Sequence, residues 1–309
     1  MALLGVPLVI TSDYDMGLLN QALIFTIMTL GLNIVLGTAG QMSLATAAFW
    51  GIGAYTSALL TVKAGVSFWI AFPASGLVAA LFGVLLGFPS LKVKGHYLAM
   101  VTIGFGEITH LVMKNFTALT GGPNGISNIP SVSIGGFVLS NSFRYYYLVL
   151  AVTAIAVLFC HRMRKSRMGR AFIAISDREV IAASMGINTH LYKVLAFMLS
   201  AFWAGIAGSL YAHYYHYINP SIFVFSESVK VMCMLFIGGA GTVLGPILGS
   251  FLLAMLPEWL RFMQEIYMAI YGLGVALMMI FFPKGLMGIG FLFRKVGSAA
   301  LKLKPQAVN

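Results

Sequence analysis

The chain has 309 residues, of which 60% are hydrophobic and 9% charged, against about 25% charged residues in an ordinary soluble domain, so a water-soluble fold is excluded. A formal charge of +11 would suit nucleic acid if the basic residues shared one surface, but the nineteen Lys and Arg stand between apolar runs, where they set membrane topology. Cys160 and Cys233 both fall within apolar runs, which supports neither a disulfide framework nor a cysteine-type metal site.

The stretch to Asp15 lacks the basic region and small-residue cleavage site of a cleaved signal and reads as mature protein. Apolar runs follow at 17–37, 43–62, 67–88, 96–116, 144–160, 192–217, 221–239, 242–260 and 265–282. A helical span needs about 20 mostly apolar residues. The expected fold class is therefore all-α: a polytopic integral membrane protein with about eight or nine transmembrane segments, one transmembrane domain over 1–309. Gly83 and Gly87, and again Gly241, Gly245 and Gly249, have the GxxxG spacing that lets helix backbones approach closely.

The seventh run carries Glu227 and Lys230 near its start and ends in Gly238, Gly239, Ala240 and Gly241. It reads either as an ordinary helix with a tight turn or as a broken, partly inserted helix. Irregular backbone at membrane depth is tolerated only against protein or a water-filled cavity. With every run crossing once and 161–193 inside, fourteen Lys and Arg lie inside and five (Lys63, Lys114, Arg144, Lys230 and Arg261) lie outside. The positive-inside bias then places the N-terminus outside and the C-terminus inside.

Polar groups within the runs are the candidates for a passage. Asn33, Gln41, Ser43 and Thr46 cluster around the first inner loop, in GLNIVLGTAGQMSLATAAFWGIGAYTSALL; they either line a route for a zwitterion or join two helices. Glu107 is a carboxylate within a membrane segment, with His110 three residues on. Such a group is costly there and faces a partner or a cavity, which leaves a pathway or gate role beside a buried structural hydrogen bond. His213 and His216 share a helix face, but a third ligand is not evident and tyrosines surround them; an interfacial aromatic belt accounts for them better than a metal. The Asn115–Thr117 glycosylation-type match carries no weight. The chain has no GxxxxGK[ST] phosphate cradle, so neither ATP binding nor any enzymatic activity is expected of it.

The longest inside loop, 161–193, contains Ser176, Asp177, Arg178 and Glu179, the S-x-x-E pattern of a capping box. A helix of about two to three turns is expected from there through Met185, stopped by Gly186 in a left-handed conformation and preceded by the apolar run Ala171–Ile175. Such an amphipathic helix either lies at the bilayer interface or inserts apolar anchors into a partner's groove.

The run from Gly31 to Leu60 resembles the signature of bacterial branched-chain amino-acid ABC importer permeases, in particular their M-type subunit. So do GGPNGISNIP at 121–130, GRAFIAISDREVIAASMGINTHLYKVLAFMLSAFWAGIAGSLYAHY at 169–214, GGAGTVLGPILGS at 238–250 and FFPKGLMGIG at 281–290. The resemblance covers 31–290 in unbroken order. It implies an ABC importer permease fold in the bacterial inner membrane, with four kinds of partner: a second, H-type permease, two cytoplasmic ATP-binding subunits, an extracytoplasmic substrate-binding protein and membrane lipid. ATP and Mg would be held by the partners, with no cofactor on this chain. It makes 161–193 the coupling loop, with Arg170, Asp177, Arg178, Glu179, Val180, Ile181, Met185 and Gly186 meeting the ATPase, and makes the outer loop at 117–143 the face toward the binding protein. The cargo it implies is a branched-chain amino acid. Importers of urea or short amides share these motifs, and a gradient-driven secondary transporter with Glu107 as its coupling carboxylate is the alternative from another class.

Overall fold

A computed structural model describes residues 12–259, apart from 92, 94, 135, 136 and 140, together with residue 272. The ninth apolar run, the basic residues after it, and Lys92 and Lys94 lie outside the described residues. Each of the first eight runs is helical: α1 (Asp13–Leu32) continuing into a π-helix (Asn33–Thr38), α2 (Thr46–Val62), α3 (Phe68–Ser90), α4 (His96–Asn115), a short α5 (Thr117–Thr120), α6 (Ser142–Lys165), α7 (Arg167–Ser184), α8 (Thr189–Tyr215), α9 (Phe225–Gly238) and α10 (Leu244–Trp259). Among the described residues, five stretches are long and apolar enough to cross a bilayer: Asp13–Thr38, Phe68–Ser90, Ser142–Lys165, Thr189–Tyr215 and Pro220–Gly238. The outer loop adds a two-stranded antiparallel hairpin pairing Ser133–Ile134 with Phe137–Val138.

Lipid is as apolar as leucine, so close backbone approach at small residues, rather than the hydrophobic effect, holds such helices together. α8 is the helix the others pack around. Gly205 lies against Gly53 of α2 and against Ser75 and Ala79 of α3, Gly208 against Trp50, Gly83 against Phe197 and Ala201, and Gly31 against Ser200 and Trp203. The second GxxxG group does the same for α9 and α10: a Cβ at Gly249 would strike the Met234 carbonyl, and one at Gly238 the Gly245 carbonyl.

Contacts sort the helix ends onto two sides. At one, Tyr14 donates to Glu258 (2.6 Å) and Lys63 to the carbonyls of Ala118 and Leu119 (2.8 Å each), and Ile126 pairs with Ile218. At the other, Gly37 meets Gly241 and Gly40 meets Ser176, beside the basic cluster of Arg162, Arg164, Lys165, Arg167 and Arg170. By the charge rule that second side is the expected inner one. Apart from α5 and α7, which each stay on one side, the helices with their connecting chain thus alternate sides from α1 to α10.

The seventh run is the broken form of the two expected. α8 ends at His216, which takes the left-handed conformation at φ 57, uncommon and costly for a residue with a Cβ; its Nδ1 is 2.8 Å from the Ile129 carbonyl, which fixes the turn. Irregular chain with one 3-10 turn (Pro220–Ile222) then descends until Phe223 packs edge-on against Trp50 at 4.8 Å, partway along α2. α9 begins at this depth, and Ser228 accepts from the Ala47 N–H at 2.9 Å. Its 14 residues span about 21 Å at about 1.5 Å per residue, less than the roughly 30 Å hydrocarbon core, so the stretch Pro220–Gly238 reaches crossing length only with the turn ahead of α9. Lys230, expected on the outer surface, consequently lies at membrane depth, paired with Glu227 (3.4 Å) and 4.8 Å above the Phe25 ring.

Candidate functional site: the inner face and the passage residues

α7 starts nine residues before the expected cap. Ser166 is its N-cap, accepting from the Gly169 N–H at 3.3 Å. Ser176 therefore cannot act as a cap, because the residues before it are already helical and satisfy the N–H groups that a cap would serve. The helix breaks at Arg178 (φ −153, ψ 98), two residues later than the expected start. Ahead of the break, Ala171, Phe172 and Ile175 turn into the core; beyond it Ala182 is buried while Val180, Ile181 and Met185 are 78%, 49% and 79% exposed. Arg170, Asp177, Arg178 and Gly186 are exposed as well, and Gly186 holds φ 81 just past the helix end.

Glu179 differs from its expected role as a partner-facing charge. Its Oε1 accepts from Lys193 Nζ at 2.6 Å, and Lys193 is 2% and Glu179 25% exposed. Lys193 is near the start of α8, so this ion pair ties the segment after the break to the central helix. Periodicity could not have found it, since the two residues are 14 apart and belong to different helices.

The first inner loop sits against the same segment. Gly40, at φ 66, packs on Ser176; a Cβ there would stand 2.5 Å from the serine hydroxyl. Two residues before Gly40 the π-helix ends, one of the wide turns that recur at functional positions. Asn33, at its start, is not a free passage group. Its Nδ2 donates to the Thr242 carbonyl at 2.6 Å and its Oδ1 accepts from the Gly241 N–H at 2.8 Å, clamping the α9–α10 turn whose Gly239 and Gly241 have φ 115 and 75. A cleft of about 230 Å³ separates these parts, lined by Thr38, Arg164, Ser176, Asp177, Gly241 and Thr242 among others.

The other passage candidates separate. Ser43 and Thr46 are buried beneath α2, where the Leu44 N–H donates to Thr102 at 3.0 Å, and Gln41 is half-buried, donating to the Ala39 carbonyl at 3.3 Å. Glu107 is exposed on α4, so the buried structural hydrogen bond is not its role among the described residues. At the outer end His213 Nδ1 lies 2.8 Å from the Pro130 carbonyl and Nε2 3.0 Å from Ser57, which also meets Ser209 at 2.7 Å. A carbonyl only accepts, so Nδ1 carries the proton and Nε2 accepts from Ser57. Both histidines thereby pin the outer loop to α8. Among the described residues, no group of three or more His, Cys, Asp or Glu could hold a metal ion.

Comparison with known proteins adds the following. The family model for the permease component of branched-chain amino acid transport systems matches residues 16–283. The high-affinity branched-chain amino acid transport system permease protein LivM of Escherichia coli K12 is 38% identical over 288 residues, 86% of this chain and 68% of LivM. LivH of the same organism, described as the permease protein of the same transport system, is 26% identical over 251 residues, 75% of this chain and 80% of LivH. LsrC of Salmonella paratyphi B, an autoinducer 2 import system permease, is 28% identical over 187 residues, 59% of this chain and 51% of LsrC. No solved structure matches the chain.

Proposed function

Because the chain belongs to the family of branched-chain amino acid transport system permeases, its M-type branch included, we propose that it is one permease half of an ATP-driven importer for branched-chain, hydrophobic amino acids in the bacterial inner membrane. It works beside an H-type permease, two cytoplasmic ATP-binding subunits that hold ATP and Mg, and an extracytoplasmic binding protein seated on the loop at 117–143. The chain contributes no catalysis of its own.

One observation carries the coupling role. Val180, Ile181 and Met185 present an exposed apolar face beyond the break in α7, off the membrane-spanning helices, and the Glu179–Lys193 pair holds that face to α8. A groove on an ATPase would take these side chains as anchors, with Arg170, Asp177 and Arg178 at the rim. Closure of the ATPases would then move α7 as a lever. Ser176 bears on Gly40, Gly40 follows the π-helix, and Asn33 holds the α9–α10 turn, so a shift of α7 is passed to the inner ends of α1, α9 and α10. A ligand shifts a two-state equilibrium only by its differential affinity for the two states; here ATP on the partners supplies that difference. Gln41, Ser43, Thr46 and Glu107 are the proposed polar contacts along the route.

The test is uptake by membrane vesicles together with co-purification of the ATPase. Ile181→Asp and Val180→Asp are expected to abolish ATP-driven uptake and lose the ATPase on purification, with the permease pair intact. Wild-type uptake by either variant would overturn the assignment. The LsrC match, an autoinducer 2 import permease, favours a second reading that alters the cargo alone: the same machine carrying a molecule other than an amino acid, for which urea or a short amide is the candidate that the shared motifs offer. Competition of leucine, isoleucine, valine and urea for uptake decides between them. A gradient-driven transporter would instead retain uptake in vesicles without ATP.

A further inference from the structure

Among the described residues long faces of α3, α4 and α6 are exposed; that of α6, with Ile155, Leu158 and Phe159, is apolar like that of α3, and that of α4 differs in chemistry. Along α3 the exposed large residues Ile70, Leu77, Leu81, Leu85 and Phe88 are all apolar, a composition that suits lipid. Along α4 the exposed residues follow one helical stripe, Tyr97, Met100, Gly104, Glu107, Ile108 and Leu111, and the stripe carries a carboxylate. Its depth can be read from neighbours. Phe105 packs on Phe49 at 5.5 Å, Phe49 is one turn below Gly53, and Gly53 touches Gly205, which is three residues above the midpoint of α8. At about 1.5 Å per residue, Glu107 lies within about 5 Å of the level of the middle of α8.

A carboxylate facing hydrocarbon midway along a spanning bundle is costly and is found against a partner or water instead, so this stripe does not face lipid. The neighbouring glycines point the same way: a Cβ added at Gly104 or at Gly106 meets nothing within 4 Å. Small residues inside a fold are usually filled against, as Gly53, Gly83 and Gly205 are; here the room is left on the outside. One turn on, His110 has a buried Nδ1 without a hydrogen-bond partner among the described residues.

We propose that the α4 stripe from Tyr97 to Leu111 is the seam for the second permease chain, with Gly104 the point of closest approach and Glu107 facing a polar group of that chain or the water between the two. The inference rests on the two-permease reading above. The occupant is a homologous permease rather than an unrelated protein because LivM-type and LivH-type chains both match this one along most of its length. Two chains of one fold related by an axis normal to the membrane meet through equivalent surfaces, so the stripe packs on the corresponding helix of its partner.

The experiment places a photoreactive benzophenone amino acid at Met100, Gly104, Ile108 or Leu111, and for comparison at Leu77, Leu81 or Leu85, in the whole importer in its native membrane. Irradiation from the α4 positions is expected to yield an adduct with the mass of the two different permeases, and the α3 positions none. Gly104→Trp, which has room in this chain alone, is expected to leave the permease inserted and to reduce co-purification of the second permease at least tenfold. Adducts from α3 alone, an adduct with a second copy of this chain, or no permease adduct from α4 in a complex that still co-purifies would each overturn the seam while sparing the importer. Failure of any second permease to co-purify with the unmodified chain would overturn the importer reading, and the seam with it.

Discussion

Asn33 carries the clearest consequence of a single side chain. Both ends of its amide are used, one on each side of a turn about 209 residues away in sequence, and leaving a buried backbone N–H or carbonyl unsatisfied costs about 1 to 3 kcal/mol. Asn33→Ala is expected to lower ATP-driven uptake about tenfold in a complex that still assembles and hydrolyses ATP; Asn33→Asp, which keeps the acceptor toward Gly241 and loses the donor toward Thr242, should lie between. Equal loss of assembly and uptake would make the residue a folding contact rather than part of the lever. Glu107→Gln, keeping shape and removing charge, is expected to reduce uptake with no change in its pH dependence, whereas loss of a proton-coupled component would favour a gradient-driven carrier. The presence of both residues as polar groups in apolar runs is legible in the sequence. Their opposite fates, one buried in a clamp and one exposed on a seam, depend on which helix lies opposite.

The inner segment shows how local rules and packing divide the work between them. Ser176 and Glu179 have the spacing of a capping box, yet Ser166 starts the helix, because Phe172 and Ile175 are drawn into the core and hold the intervening turns helical. Glu179 is left to meet Lys193. Removing one member of a buried pair strands the other and costs about 3 to 5 kcal/mol, while replacing both by apolar residues is often close to neutral; the partial exposure of Glu179 reduces the first figure. Lys193→Met is therefore expected to loosen α7, seen as faster proteolysis near Arg178, and Lys193→Met with Glu179→Met to restore most of the protection. Equal proteolysis in the single and double variants would show that the pair does not anchor the segment.

Across the molecule, the alternation of sides makes a direct prediction. A cysteine placed by Ala118→Cys should react with a membrane-impermeant thiol reagent in intact cells with an opened outer membrane, and one placed by Arg170→Cys only after the inner membrane is permeabilised; the reverse pattern would invert the topology. Packing makes another. Gly205→Leu, whose side chain has to enter the space held by Ala79 and the Ser75 carbonyl, should prevent accumulation of the chain. Composition alone was enough to establish a membrane protein, and apolar run lengths were enough to locate eight helices among the described residues, since a segment in hydrocarbon must satisfy its own backbone and helix is the local way to do so. Charge counting gives them an expected orientation, because each basic residue is read by its distance from the nearest run. The half-length α9, the displaced Lys230, the Asn33 clamp and the Glu179–Lys193 pair were beyond such reading: each depends on a contact between residues distant in sequence, whose geometry arises only when α8 has gathered the other helices around it.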